Sequence, residues 1–314
     1  MKNIIVTGAT SFVGRYLLMS FLKNGYSVTA VVRSEERCNI LRQFLLQNGV
    51  QELSSLTFVI SDLSSINADL IGRNVYDAWF HLAWAGVNRE QVESEEVQSL
   101  NVEFSKRCLQ CARDLGCGFF GDFGSRAEYP ADIGIIEEIM PEGALNKYGE
   151  KKKEFYEYAY EFCKKAGIKY VHYRLFSVTG PGDHPWSLVM TACNKFRLNE
   201  PMEFGACTQM WNYIDVRDLA ELVIRVFETI TDGALIRDFN GIVNIANSKS
   251  RPLIDYVNEI HEVCGSTSVM SFGSNEGFAS EPKLATIGLL GIKYEEIPFR
   301  ESILNILNTA EDDK

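Results

Sequence analysis

Short apolar runs alternate with amphipathic stretches through the first half of the chain. The apolar runs predict strands at residues 3–7, 27–33, 56–60, 78–82, 118–123 and 170–176. Apolar positions that recur every three or four residues predict helices at 11–24, 35–48, 97–115 and 147–166. Strands that alternate with helices of this length form βαβ units, so we predict an α/β fold with a doubly wound parallel sheet and helices on both faces.

The regular alternation breaks after residue 176. Gly180-Pro181-Gly182 and Glu200-Pro201 interrupt the next stretch, and the strand and helix pattern returns only at about 213–246. We therefore predict two parts. Residues 1–176 with about 213–246 form the sheet domain, and about 177–212 with 247–314 form a smaller, mostly C-terminal lobe.

The charge balance and the cysteines limit the classes of partner and compartment. The chain has 42 acidic and 31 basic residues, a net charge of −11, which disfavours nucleic acid and anionic membranes as partners. Cys108 and Cys111 form a C-x-x-C pair without a second pair, and their helical pattern predicts that they face the core; no metal site is expected. Free thiols and the lack of a signal-like or membrane-spanning run predict a cytoplasmic protein.

The turn between the first strand and the first helix has the features of a phosphate-binding turn. A helix N-terminus offers free N–H groups and a partial positive charge to an anion. Gly8 permits a tight turn, and Gly14 lets the helix pack close to the strand. Two glycines at this spacing also occur in ordinary turns, but the position after the first strand favours a dinucleotide. The predicted contacts are Gly8, Thr10, Ser11, Phe12, Val13 and Gly14.

This turn resembles the T-G-x-x-G-x-x-G motif of the extended short-chain dehydrogenase/reductases, the NAD(P)-dependent epimerase/dehydratase family of nucleotide sugars. Ser11 stands in place of the middle glycine. The resemblance extends over most of the chain and implies that the sheet domain is a Rossmann domain that binds NAD(P), and that the smaller lobe binds a nucleotide sugar. It implies further cofactor contacts at Asp62, Leu63, Leu82, Ala83, Trp84 and Asn101. From the residue alone, Asp62 is equally well explained as a helix cap or loop carboxylate.

A candidate proton donor lies at the start of the fourth predicted helix. Tyr148 and Lys152 form a Y-x-x-x-K pattern, and a lysine one helical turn away favours the ionised form of a phenol whose ordinary pKa is about 10. Lys151 would lie near the same face, so spacing does not choose between the two lysines; the family pattern chooses Lys152. The resemblance of 124–129 to S-S-x-x-V-Y-G makes Ser125 the third catalytic residue, which would bond the reacting oxygen.

Other motifs of the family imply where the substrate binds. Residues 174–181 resemble R-x-x-N-V-Y-G-P, with serine at the position of the asparagine. Residues 209–214 resemble the region that closes over the nucleotide, with tryptophan where many members carry arginine. The implied substrate contacts are Arg126, Arg174, Ser177, Gln209 and Trp211. The tryptophan could stack on a base or fill the core equally well.

Three residues bear on the reaction. Family dehydratases carry an Asp-Glu pair directly after the catalytic serine or threonine, where this chain has Arg126 and Ala127, so elimination is not expected. Arg33 ends the second predicted strand, where a guanidinium suits the 2′-phosphate of NADP and an acidic residue would suit NAD; a solvated arginine is the alternative explanation.

We therefore predict an NADP(H)-dependent oxidoreductase of a nucleotide-linked sugar, a 4-ketoreductase of a 4-keto-6-deoxyhexose. The main alternative is an NAD-dependent 4-epimerase similar to UDP-glucose 4-epimerase. A non-catalytic NADP-sensing protein and a reductase of free carbonyl metabolites are further alternatives. A homodimer is also expected. The helix after Tyr148 carries Phe155, Tyr158 and Phe162 on one side, with Tyr156 and Tyr160 displaced from it, so one apolar face can pack on the sheet and leave aromatic surface for a partner helix. Family members commonly pair through this helix and the one at 97–115.

Overall fold

Seven parallel strands form the centre of the protein. The computed structural model describes residues 2–131, 133–141, 143–234, 236 and 238–312. The strands of the central sheet are β1 Asn3–Thr7, β2 Ser27–Val32, β3 Leu56–Ile60, β4 Ala78–His81, β5 Phe119–Ser125, β6 Lys169–Leu175 and β7 Ile242–Ile245. Their order across the sheet is β7-β6-β5-β4-β1-β2-β3, and every neighbouring pair is parallel. The order reverses between β1 and β4, which confirms the predicted doubly wound fold.

The strands at 3–7 and 56–60 have the predicted ends, and the ends of the other predicted strands differ by at most two residues. The largest difference is at β5, which continues through Gly124 and Ser125 because these residues pair with Arg174 and Leu175 of β6. The apolar pattern stops earlier, at Phe123, and could not show this pairing. As a result, Ser125 lies at the carboxyl end of a strand that is hydrogen-bonded along its whole length.

Ten helices lie in the described parts of the chain. They are α1 Phe12–Lys23, α2 Glu35–Gln47, α3 Ala68–Ile71, α4 Glu95–Asp114, α5 Lys147–Ala166, α6 Leu188–Arg197, α7 Val216–Thr231, α8 Leu253–Val263, α9 Ala285–Leu289 and α10 Phe299–Asp312. Polar side chains begin several of them: Ser11, Ser34 and Asn146 each accept the backbone N–H three residues later. No helix within these residues has the length and apolar character needed to cross a membrane.

The sheet has an apolar core on each face. On one face, Leu17 and Phe21 of α1 pack with Phe227 of α7. On the other face, Leu109 of α4 packs with Phe155 of α5. Cys108 and Cys111 of α4 are buried in this second core, as their helical pattern predicted. Both faces of the sheet are covered, so the carboxyl edge of the strands remains as the place for a site.

The smaller lobe has its own apolar core, built from α6, α8 and α10. Short strand pairs connect and line it: Ser177–Thr179 with Tyr213–Asp215, Met202–Phe204 with Met270–Phe272, Met210–Trp211 with Arg251–Pro252, and Ile135–Ile136 with Glu281–Pro282. One segment departs from the predicted division of the chain. Ile287 of α9 and its neighbours to Tyr294 pack on the core of the sheet domain, although residues after 246 were assigned to the lobe.

Candidate active site

A cavity of about 410 Å³ lies at the carboxyl edge of the sheet, where the strand order reverses. Parallel α/β sheets bind their ligands at this position. Ten of the predicted cofactor contacts line it: Gly8, Thr10, Ser11, Arg33, Asp62, Leu63, Leu82, Ala83, Trp84 and Asn101. Residues from four separate loops of the sequence thus meet around one space.

The turn after β1 leaves no room for side chains at its two glycines. Gly8 has a φ of +78°, and a Cβ there would lie 2.6 Å from the backbone nitrogen of Ala83. A Cβ on Gly14 would lie 2.1 Å from the carbonyl oxygen of Gly8. The backbone therefore approaches the cavity closely at the N-terminus of α1, and this arrangement fits the pyrophosphate of a dinucleotide.

Ser11, which replaces the family's middle glycine, serves as the cap of α1. Its Oγ accepts the N–H of Gly14 at 3.1 Å, so this hydroxyl oxygen is engaged within the turn. Phe12, Val13 and Gly14 lie inside the first turn of the helix and are not among the residues that line the cavity. Phe12 and Gly14 are buried. Thr10 and Ser11 are therefore the residues of α1's N-terminal end that line the cavity.

Two arginines and a carboxylate mark the far end of the cavity. Arg33 and Arg37 both line it and are exposed. Asp62 accepts the N–H of Ser64 at 2.8 Å, and this hydrogen bond lowers the pKa of its carboxyl group. Asp62 therefore holds its own loop, as the loop-carboxylate explanation implies, and it also lines the cavity.

One face of α4 completes the cavity and was not predicted. Val97, Leu100 and Phe104 line it beside Asn101. Their spacing of three or four residues is the signal that could have identified them. Asn101 also binds the loop after β4, since its side chain exchanges two hydrogen bonds of 2.9 Å with the backbone of Ala85.

The three predicted catalytic residues lie together. Ser125 ends β5, and its side chain lies near that of Tyr148, at the start of α5, where it lowers the pKa of the phenol. The Nζ of Lys152 lies 5.8 Å from the centroid of the Tyr148 ring and donates to the carbonyl of Phe123 at 2.6 Å. Lys151 instead pairs with Glu95 and Glu154 on the outside of the helix. The geometry therefore agrees with Lys152 as the partner of the tyrosine.

The ionisation of this group follows from its surroundings. Burial raises the pKa of Tyr148 to about 12, against the hydrogen bond with Ser125, which lowers it. Burial lowers the pKa of Lys152 to about 8, against the negative charges of Asp122 and Glu128. The expected lowering of the phenol pKa by Lys152 is absent here, because its ammonium bonds a carbonyl and does not face the phenol oxygen.

Trp84, which replaces a family alanine, lies directly against this group. Lys152 Nζ is 3.8 Å from the centroid of a Trp84 ring, a cation–π contact. The Trp84 and Tyr148 rings meet edge to face with centroids 6.1 Å apart. The indole N–H donates to Gln98 at 2.8 Å. His81 is buried, and its ring forms hydrogen bonds with the side chains of Thr7 and Ser105, as is expected of a structural residue.

The predicted substrate contacts divide into two sets. The buried Arg126 donates to the carbonyls of Tyr129 and Ala279, and its guanidinium lies 4.6 Å from the Phe278 ring. The rings of Trp211 and Phe278 have centroids 5.5 Å apart. Within the described residues, Gln209 Oε1, Trp211 Nε1 and Arg126 Nε are among the buried side-chain atoms without a hydrogen-bond partner.

The second set of predicted substrate contacts, Arg174 and Ser177, lies apart from Arg126, Gln209 and Trp211. The side chain of Arg174 is fully buried and pairs with Glu128 at 2.9 Å, so it supports the loop after β5 and does not reach a substrate, contrary to the prediction. Arg174 has the position that the motif implies, but the β6 strand turns its side chain inward. Ser177 is half-buried and pairs with Tyr213 in a short parallel sheet.

Comparison with known proteins agrees with this arrangement. The family model described as "NAD dependent epimerase/dehydratase family" matches residues 4–246. CDP-abequose synthase of Salmonella muenchen is 23% identical over 274 residues, which cover 87% of this chain and 84% of that protein. The dTDP-6-deoxy-L-talose 4-dehydrogenase (NAD(+)) of Aggregatibacter actinomycetemcomitans is 24% identical over 264 residues, covering 82% of this chain and 88% of that protein.

Solved structures share the fold over the whole length. UDP-N-acetylglucosamine 4-epimerase from Methanobrevibacter ruminantium, in complex with UDP-N-acetylmuramic acid, superposes with a TM-score of 0.82 at 20% identity, covering 100% of this chain and 99% of that one. UDP-glucuronic acid 4-epimerase from Bacillus cereus, with UDP-glucuronic acid and NAD, gives 0.80 at 18% identity, covering 99% and 100%. The chain belongs to the NAD dependent epimerase/dehydratase family and is an enzyme of the extended short-chain dehydrogenase/reductase type.

Proposed function

We propose that the protein is an NADP(H)-dependent 4-ketoreductase of a nucleotide-linked 4-keto-6-deoxyhexose. The observation that carries the choice of cofactor is the pair Arg33 and Arg37, two exposed guanidinium groups that line one end of the cavity. A guanidinium binds a phosphate through two parallel hydrogen bonds, so this pair suits the 2′-phosphate of NADP. The relatives support chemistry at position 4 of a nucleotide sugar, since their names describe 4-dehydrogenases and 4-epimerases.

The chain's own residues supply proton transfer and orientation. A bound nicotinamide cofactor supplies the hydride to C4 of the sugar. Tyr148 donates its phenolic proton to the C4 oxygen, which turns the ketone into a hydroxyl group. Ser125, whose side chain lies near that of Tyr148, holds the same oxygen in line with that proton. Lys152 holds its Nζ 5.8 Å from the centroid of the Tyr148 ring, and it would favour the phenolate that remains after the transfer once its ammonium turns from the carbonyl of Phe123 to the phenol oxygen.

The nucleotide end of the substrate would lie against the smaller lobe. The unpaired atoms of Gln209, Trp211 and Arg126 supply both donors and an acceptor there. Trp211 packs on Phe278, so the two rings form an apolar wall beside these polar atoms. Ser177 would add a hydroxyl group from the neighbouring strand. Such a mixture of aromatic surface and a few convergent polar groups is usual in small-molecule sites.

An assay with a panel of nucleotide sugars and their 4-keto derivatives tests this function. We expect net oxidation of NADPH, followed at 340 nm, with at least one nucleotide-linked 4-keto-6-deoxyhexose. Each compound is assayed with NADPH and with NADH. Interconversion of two nucleotide sugars without net change in cofactor would contradict the reductase and establish the second candidate, a 4-epimerase. That candidate is favoured by the several 4-epimerases among the relatives and similar structures.

Replacing Arg33 by alanine should weaken NADPH binding and leave NADH binding nearly unchanged. The variant loses a charge-assisted contact with the 2′-phosphate of about 1.5–3 kcal/mol, or about 10-fold to 150-fold in affinity. Fluorescence titration of each cofactor measures both values. Arg42→Ala is the matched control, because Arg42 lies on the same helix as Arg37 but pairs with Glu35 and is not among the cavity residues. Equal losses for the two cofactors would show that Arg33 is structural only.

We also propose that two chains pair through α4 and α5. Tyr158 and Phe162 of α5 are only half-buried, and Lys106 and Arg113 of α4 lie over their rings. The two helices thus present a partly apolar face of aromatic and basic side chains. Light scattering at micromolar concentration should give the mass of a dimer, and the mass of a single chain would refute the pairing.

A further inference from the structure

Four charged side chains lie buried directly beneath the catalytic serine. Asp122, Glu128, His172 and Arg174 are each at most 1% exposed. They belong to β5, to the turn after it and to β6, and they contact one another in a row. A buried charge is costly unless it is paired, so four together must neutralise one another. The reaction proposed above uses none of them.

His172 occupies the centre of the row and bonds both carboxylates. Its Nδ1 lies 3.0 Å from an oxygen of Asp122, and its Nε2 lies 3.0 Å from an oxygen of Glu128. Ionised carboxylates only accept hydrogen bonds, and a neutral imidazole has a single N–H. Both contacts are therefore made only by the doubly protonated ring. Burial by itself lowers the pKa of His172, but Glu128 and Asp122 outweigh this effect and raise it to about 9.

The groups around His172 agree with a positive charge on the ring. Tyr170, on the same strand, donates to Asp122 at 2.6 Å. Tyr156 of α5 lies with its ring centroid 5.0 Å from that of His172. Arg174 binds the same oxygen of Glu128 as His172, at 2.9 Å. Burial raises the pKa of Glu128, but His172 and Arg174 outweigh it and lower it to about 2, so this carboxylate is ionised at neutral pH.

Glu128 connects this row to the backbone of Ser125. Its Oε1 accepts the N–H of Ser125 at 2.6 Å, while the Ser125 hydroxyl oxygen accepts the N–H of Ala127. No side chain fits at Gly124, where a Cβ would lie 2.2 Å from His172 and 2.4 Å from Glu128. The charged row therefore packs against the peptide that carries the serine, and the position of that peptide depends on Glu128.

The charge of Glu128 also acts on the other catalytic residues. Asp122 and Glu128 both raise the pKa of Lys152, but burial lowers it by more. Glu128 also adds to the rise that burial causes in the pKa of Tyr148. Removing that charge should lower both pKa values.

We propose that Glu128 is a positioning residue, whose carboxylate, clamped by His172 and Arg174, holds Ser125 where its hydroxyl meets the reacting oxygen. The role rests on the proposed reaction at Ser125 and Tyr148. A glutamine at position 128 keeps the shape of the side chain, but its amide has one acceptor oxygen to serve Ser125, His172 and Arg174. The serine peptide would then lose its fixed position.

Kinetics of Glu128→Gln test the proposal. We expect kcat to fall by about 10-fold to 100-fold, with KM and cofactor affinity nearly unchanged, because misplacement of a reacting group affects the transition state most. The basic limb of the pH dependence of kcat should also move to lower pH, since Lys152 and Tyr148 would both lose their protons more easily. Glu138→Gln is the matched control, because Glu138 also accepts backbone N–H groups, those of Asn244 and Thr286, but lies away from Ser125. An unchanged kcat and pH profile in folded Glu128→Gln would overturn the proposal.

A second measurement needs neither substrate nor variant. The chain has four histidines, so long-range ¹H–¹⁵N spectra of the imidazole rings can follow each one. We expect His172 to be doubly protonated at pH 7, while His81, whose pKa burial lowers to about 3, stays neutral. A neutral His172 at pH 7 would overturn the charged clamp. If the wild-type protein turns over no nucleotide sugar, the proposed function fails, and these spectra still decide whether the clamp is charged.

Discussion

Replacing Tyr148 by phenylalanine is expected to lower kcat by about 100-fold to 10,000-fold. The substitution keeps the ring and its edge-to-face contact with Trp84 but removes the proton that the reduced oxygen needs. The binding of NADPH and of the nucleotide sugar should change little, because the hydroxyl acts mainly in the transition state. Steady-state rates and cofactor titration measure the two effects separately.

Tyr158→Phe is the matched control for this experiment. Tyr158 lies on the same helix, half-buried beside Phe162 and Lys106, and its ring is not part of the catalytic group. The control should retain the wild-type kcat. A Tyr148→Phe variant that keeps more than about a tenth of the wild-type kcat would show that another group supplies the proton.

Replacing Arg174 by methionine is expected to lower the free energy of unfolding by about 3–5 kcal/mol. The variant removes one positive charge from a fully buried pair and leaves Glu128 with only His172 as a charged partner. Urea unfolding, followed by circular dichroism, measures the change. KM for the nucleotide sugar should change only as far as the catalytic loop shifts, because Arg174 does not line the substrate site.

Arg73→Met makes the same substitution at an exposed ion pair. Arg73 bonds Asp69 at 2.8 Å, with both side chains more than 70% exposed, and such pairs contribute about 0–1 kcal/mol. The difference between the two variants isolates the effect of burial. If Arg174→Met and Arg73→Met lower the free energy of unfolding by equally small amounts, the charges around Glu128 compensate one another without the guanidinium of Arg174.

The sheet and the nearness of Lys152 to Tyr148 could be predicted because their signals are local, although the choice of Lys152 over Lys151 needed the family pattern. The strands are short apolar runs separated by helices with a clear apolar stripe, and hydrophobic periodicity reports both. Tyr148 and Lys152 are four residues apart on one helix, so the helix alone brings them to the same face. The glycines of the first turn are equally local, since each is needed by its own backbone contacts.

The buried row of charges could not be predicted, because it depends on the pairing of distant segments. Asp122 and His172 face each other only because β5 and β6 pair in one register. The 3-10 turn after β5 then brings Glu128 back over the same strand. Arg174 was assigned to the substrate from its motif, and nothing in the sequence shows which way its strand turns it. The contact of Phe278 with Arg126 likewise joins residues about 150 positions apart.

The balance of the buried row limits how this enzyme can evolve. Two carboxylates face one imidazolium and one guanidinium, so the set is neutral as a whole and charged after any single replacement. A descendant that loses one member should pass through an unstable intermediate unless a second member changes with it. Among diverged relatives, we therefore expect members of this row to be lost in pairs of opposite charge, one carboxylate together with His172 or Arg174. Laboratory evolution that starts from a variant of one should recover activity by changing another.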